Sequence, residues 1–371
     1  MRPAHLYVHV PFCARRCVYC DFAIAVRRDV PVEEFVSAVE RELQLRFGGD
    51  DRWELETLYF GGGTPSRLGP DGMRRLVETI RRHATLLEGA EVTIEANPDD
   101  IDVATARAWR HAGINRVSLG AQTFNDAALQ WMHRVHDAKA IPVAVAALRD
   151  AGFDDISIDL IFSLPESVSR SWREDLDRAI SLDPTHVSLY GLTVEADAPL
   201  GKQVARGEVS EAPEERYESD FLRADEVLTQ AGYEHYEVSN FAKPGHRARH
   251  NFSYWRGVPY AGIGPGAHEF DGAVRRWNVG AYVDWVRRLE KGTDPEEGQE
   301  TLSEENRIAE GVYLGLRTLD GLQVSAAEAE HAAPWIAAKW AQVRAGRLIL
   351  TPLGWLRLDS LAADLTLLRS H

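Results

Sequence analysis

The chain reads as an α/β protein: six short strands alternate with helices through its first half, and a smaller α+β region follows. Three observations predict this. Apolar, β-branched runs recur at His5–Val10, Leu55–Phe60, Glu91–Ala96, Arg116–Gly120, Asp154–Phe162 and His186–Tyr190. The segments between them place apolar residues near a 3.6-residue period, and the alternation decays after Gly191. Regular βα alternation implies a parallel sheet with right-handed crossovers, in which functional residues gather at the C-terminal ends of the strands.

Taken in order, His5–Val10 alternates apolar and polar residues and ends at Pro11, which cannot continue a ladder. Phe35, Val36, Val39, Leu43 and Phe47 give Glu33–Phe47 one apolar face, and Gly48-Gly49 stops that helix. Leu55–Phe60 runs into Gly61-Gly62-Gly63-Thr64-Pro65, then a helical pattern from Asp71 to His83. Asn97-Pro98-Asp99 closes Glu91–Ala96, and a helix from about Asp102 to His111 leads to Arg116–Gly120. Helices are expected at Phe124–His133, Ala138–Ala151 and Val168–Ile180, the last two on either side of Asp154–Phe162. Ala212–Ala231 is amphipathic and Glu234–Phe241 is extended. Beyond about residue 245 come His250-Asn251-Phe252-Ser253-Tyr254-Trp255, a glycine-rich turn from Gly262 to His268, and a charged helix Ser303–Leu319. A final helix, with Leu348–Leu358 as a β-hairpin wing, gives a winged-helix-like end. The division expected is 1–240 and 241–371.

At 371 residues the chain is too long for one small core. A net charge of −15 argues against nucleic acid as the main partner, because that binding depends on clustered Lys and Arg. Met1–His9 lacks the apolar core of a signal peptide, and nowhere do eighteen apolar residues run together. A cytoplasmic protein with at most peripheral membrane contact is expected.

All three cysteines, Cys13, Cys17 and Cys20, fall in one loop after the first strand. A disulfide among them would close a tiny strained ring, which leaves metal ligation or thiol chemistry. Structural zinc wants four closing ligands, and only His5 or His9 offers a fourth. Three thiolates on a [4Fe-4S] cluster leave one iron without a protein ligand. The spacing favours the cluster, with zinc as the alternative. Gly61-Gly62-Gly63 lets backbone approach a ligand but lacks the lysine of a P-loop, and it reads equally well as a tight strand-to-helix turn. Glu95 and Asp159 end apolar strands, and Gln122 and Arg134 follow another; singly, each reads as a structural tie between loops.

Together these features resemble the radical S-adenosylmethionine superfamily, with Cys13-x3-Cys17-x2-Cys20 as its signature and Gly62-Gly63-Thr64 as its glycine motif. Tyr7–Cys13, Leu58–Ser66, Gly120–Phe124 and Ile158–Ile161 look like its anaerobic coproporphyrinogen III oxidase group. The resemblance spans essentially the whole chain and implies a partial (β/α)6 TIM barrel with that group's C-terminal domain behind it. It also implies a [4Fe-4S] cluster on Cys13, Cys17 and Cys20. S-adenosylmethionine is implied to meet Tyr7, Tyr19, Gly62, Gly63, Thr64, Glu95, Gln122, Arg134 and Asp159.

Within the group, the oxidases are expected to carry a fourth cysteine two positions after the third, where this chain has Phe22, and an arm ahead of the first strand. Cys20-Asp21-Phe22 and His250–Trp255 instead resemble HemW-type heme chaperones, which implies heme as cargo, delivery to respiratory apoproteins, and room for a homodimer. An oxygen-independent coproporphyrinogen III oxidase or a radical methyltransferase is the alternative. From its own chemistry, His250 reads at least as well as a hydrogen-bonded structural residue where barrel and C-terminal region meet; the resemblance alone makes it a heme ligand.

Overall fold

The computed structural model describes residues 2–49 and 53–369. Its centre is a nine-stranded sheet. In chain order the strands are β1 His5–Val10, β2 Glu54–Gly62, β3 Thr85–Ala96, β4 Arg116–Gln122, β5 Asp155–Phe162, β6 His186–Gly191, β7 Glu234–Glu237, β8 Asn240–Ala242 and β9 Ala261–Ile263. In space they run β9-β1-β2-β3-β4-β5-β6-β8-β7. Pairings from β9 to β6 are parallel, and β8 joins β6 and β7 antiparallel. All six expected strands therefore lie side by side in sequence order, as βα repetition dictates.

Helices cover the sheet wherever the apolar period allows. Val32–Phe47 buries Phe35, Val36, Val39 and Leu43, and Trp172–Ser181 starts on Ser171, whose side chain accepts from the Glu174 N–H. The expected helix Phe124–His133 is shorter, Asp126–Trp131, because Asn125 caps it from outside by accepting from the Ala128 N–H, and His133 leaves at φ +61°.

The division at 240/241 is not followed by the sheet. It cuts β8, and β9 returns from the C-terminal region to pair with β1, Leu6 against Ala261. One connected apolar core runs from Leu6 to Leu365. A buried polar clasp joins the first helix to this region: Glu42, fully buried, accepts from Trp285 Nε1 (2.8 Å), Asn278 Nδ2 (2.6 Å) and the Gly264 N–H (3.0 Å), and pairs with Arg46.

Two further three-stranded sheets complete the chain. One is His268–Phe270, Val274–Asn278 and Glu296–Thr301; the other is Leu322–Gln323, Arg347–Leu350 and Ala341–Arg344. The wing is thus displaced from the expected Leu348–Leu358. Its hairpin turns at Ala345 and Gly346, both with positive φ, and Pro352 opens a helix, Pro352–Trp355, followed by Leu358–Arg369. Among the described residues, no helix is long and apolar enough to cross a membrane.

Candidate functional site

The site lies where β1 to β6 end. Phe12–Cys13 pairs in parallel with Ala25–Val26, which ties together both ends of the cysteine loop. Phe12 is buried against Phe35 and Tyr282, anchoring the loop in the core. Its middle is held by Val18, 1% exposed, whose N–H donates to the Met132 carbonyl (3.3 Å) while its own carbonyl accepts from the Leu200 N–H (2.7 Å). The three thiols are free and line one cavity of about 460 Å³. Burial pushes the Cys13 thiol up and the Cys20 thiol up to about 11, so protons must leave when a metal binds. Cys13 Sγ and Thr64 Oγ1 are 3.5 Å apart.

The glycine motif is required by packing as well as by any ligand. Gly62 sits at φ +108°, where a Cβ would lie 2.4 Å from the His9 ring, and a Cβ on Gly63 would lie 2.6 Å from the Pro11 carbonyl. The turn and ligand readings therefore describe one feature: bare backbone lets β2 end directly beneath the cysteine loop.

Three polar groups furnish the depth of the cavity. Glu95 accepts from Tyr59 Oη (2.8 Å) and the Gly62 N–H (3.1 Å), and burial raises its carboxyl to about 7. Asp159 accepts from Ser118 Oγ (2.8 Å) and Ser157 Oγ (3.0 Å), and burial raises it too. Arg134 donates to Asn97 Oδ1 (2.5 Å), the Gly120 carbonyl (2.9 Å) and Cys17 Sγ (3.6 Å), while its Nε has no partner among the described residues. Gln122 also lines the cavity, at φ +66°, a strained conformation that persists only where surrounding structure enforces it. Tyr19 lines the wall beside Cys17 and Cys20.

Two expected site residues lie elsewhere. Tyr7 is set back from the cavity, stacked on Tyr59 (centroids 6.1 Å) with its hydroxyl 3.1 Å from His9 Nδ1. His250 is fully buried: Nδ1 is 2.7 Å from Thr57 Oγ1, Nε2 is 2.7 Å from Tyr254 Oη, and burial holds the ring down at about 3. With both nitrogens committed inside the protein, this conformation offers no lone pair to an iron. The structural reading of His250 fits these contacts.

Site residues that sequence reasoning passed over follow a pattern it had available. His186, Ser188 and Tyr190 alternate on β6, Ser157 and Asp159 on β5, and Arg116 and Ser118 on β4; a polar residue every second position on an apolar strand marks the face turned into the barrel. Ser157 Oγ meets His186 Nδ1 (2.8 Å), whose Nε2 meets Tyr236 Oη (2.8 Å), so the Asp159 network continues through the barrel interior.

A parallel barrel displaying three thiols, a glycine edge and inward carboxylates at its strand ends defines a radical S-adenosylmethionine protein, and residues 7–179 match the model of the Radical SAM superfamily. The heme chaperone HemW of Mycobacterium tuberculosis is 35% identical over 371 residues, covering 98% of this chain and 95% of the relative. That of Bacillus subtilis is 35% identical over 320 residues, 85% and 84% respectively. Among solved structures, the coproporphyrinogen III oxidase HemN from Escherichia coli superimposes with a TM-score of 0.80 at 23% identity, over 98% of this chain and 90% of that one. The chain belongs to the HemW heme chaperone family.

The superfamily implies a [4Fe-4S] cluster and S-adenosylmethionine. The donor set fits them. Three free thiols lining one cavity are the donor type and number that a cluster with an open iron needs, although among the described residues no three His, Cys, Asp or Glu side chains, these thiols included, are gathered closely enough to hold a metal ion as they stand. Bound there, the pair supplies one-electron reduction of a sulfonium, chemistry that belongs to the cofactors. The chain itself supplies acceptors, Glu95 and Asp159, for an ammonium or hydroxyls, and a buried guanidinium, Arg134, for a carboxylate.

Proposed function

We propose that this protein binds heme and delivers it to respiratory apoproteins in the cytoplasm, with a cluster on Cys13, Cys17 and Cys20. S-adenosylmethionine would meet Tyr19, Gly62, Gly63, Thr64, Glu95, Gln122, Arg134 and Asp159 in the cavity, and Tyr7 would act behind them through Tyr59. The observation that carries the heme reading is identity of 35% to a heme chaperone over 98% of the chain, and Phe22, where the oxidase pattern needs a fourth thiol, supports it. Phe22 is 61% exposed at the cavity. The oxidase alternative rests on likeness of fold alone. Self-association as a homodimer belongs to the same reading and is tested by light scattering on the reconstituted protein.

The deciding experiment is a hemin titration of the anaerobically reconstituted protein. Saturable growth of a Soret band supports the reading. No saturable change, or appreciable conversion of coproporphyrinogen III to protoporphyrinogen with a reductant, overturns it.

A further inference from the structure

The cavity has two chemically different zones. Its depth is polar, and its mouth is apolar: Phe22 is 61% exposed and Val135 44%, and both line the cavity. Large apolar side chains left in water around one opening mark a surface that another molecule covers.

The turn that follows Trp131 presents an imidazole at this mouth. His133 is exposed, lines the cavity, and makes no side-chain hydrogen bond, ion pair or ring contact among the described residues. Its φ of +61° is uncommon for a residue with a side chain. The turn is nonetheless fixed. Arg134, the next residue, reaches inward to Asn97, the Gly120 carbonyl and Cys17, and the Met132 carbonyl accepts from Val18 of the cysteine loop. Arg134 inward puts His133 and Val135 at the opening on either side of it. Arg15 lines the same cavity, exposed and with no hydrogen bond or ion pair among the described residues, and the exposed acids Asp21 and Glu195 line it too.

An unpartnered imidazole, apolar walls and one cationic corner are the complement of a flat apolar macrocycle that carries an iron and two carboxylates. We propose that heme lies across this mouth with His133 as its axial ligand, its faces and edges against Phe22 and Val135, and a propionate on Arg15. This rests on the heme-carrier reading and assigns the place of the cargo. Asp21 and Glu195 repel carboxylates and so set which edge of the ring points to Arg15. His250, with both nitrogens engaged and no exposed surface, takes no part.

The test is hemin titration of the reconstituted full chain and its His133→Gly variant, followed by Soret absorption and low-temperature EPR. Glycine adopts the positive φ without penalty, so this variant removes the imidazole without straining the turn. The expected result is affinity weaker by about tenfold or more and loss of the imidazole-ligated signature, restored by free imidazole, with cluster absorbance unchanged. Wild-type affinity and signature in His133→Gly overturn the assignment while leaving the heme reading standing, and loss of the signature in His250→Gln instead would place the ligand at His250. Absence of saturable binding by the wild type overturns both.

Discussion

Arg134 lies 3.6 Å from Cys17 Sγ through one guanidinium nitrogen while the other is held at 2.5 Å by Asn97 Oδ1 and 2.9 Å by the Gly120 carbonyl. The contact joins the end of β4 to the cysteine loop.

Arg134→Gln should therefore weaken both fold and site. Removing the guanidinium leaves the Gly120 carbonyl and Asn97 without their donor, a loss of about 1–3 kcal/mol. Urea denaturation should show a lower midpoint, together with reduced iron per chain after reconstitution. An unchanged midpoint with full iron loading would remove Arg134 from the structural account of the loop.

Cys17→Ser should abolish the broad iron-sulfur absorbance and leave the fold intact, since Cys17 is partly exposed and the loop is pinned by Phe12 and Val18. Metal analysis of the wild type sharpens this test. Stoichiometric zinc in place of iron would contradict a cluster.

Glu95 makes stability depend on pH in a definite direction. Its folded-state carboxyl, at about 7, lies above the ordinary 4.5, so between these values the folded chain holds a proton that the unfolded chain has released. The stability it contributes is complete below the lower value and lost as pH rises through the upper one. Comparing urea midpoints at about pH 5 and about pH 8, the wild type should lose more on going to the higher pH than Glu95→Gln does. Equal losses would show that burial does not raise this carboxyl.

Gly62→Ala should cost about 1–3 kcal/mol, because the residue holds φ +108° and its new methyl would meet the His9 ring. His9 is itself fixed, its Nε2 2.9 Å from the Ala23 carbonyl, so the ring cannot simply swing aside. Thermal unfolding gives the comparison; a midpoint equal to wild type would mean that β2 shifts freely beneath the loop.

The sequence made the parallel core legible because long runs such as Asp154–Phe162 carry both strand period and turn signals, and the cysteine spacing located the site before any fold was known. What stayed hidden had weak local signals. Ala261–Ile263 is a strand of three residues inside a glycine-rich stretch, too short to show a period, and it forms only because β1 has a free edge to receive it. Val274–Asn278 carries two arginines and a tryptophan, and half of Glu296–Thr301 is glutamate, so neither resembles a strand until Arg276 finds Asp294 and Glu269. The C-terminal wing was displaced because Leu353–Leu358 is apolar enough for a strand, yet Pro352 at a helix start decides otherwise. His250 shows a different limit. The family resemblance pointed it toward iron, but whether an imidazole nitrogen is free depends on Thr57, distant in sequence, and on Tyr254.

The central claim, that this chain carries heme to other proteins, is tested most directly by transfer. The hemin-loaded, reconstituted protein is mixed with the apo form of a respiratory heme protein, and the acceptor's holo spectrum is followed against a control with free hemin. The account predicts loss of the carrier's Soret band matched by gain of the acceptor's, faster than from free hemin. Heme that stays on the carrier, or an acceptor that fills no faster than from free hemin, would contradict it.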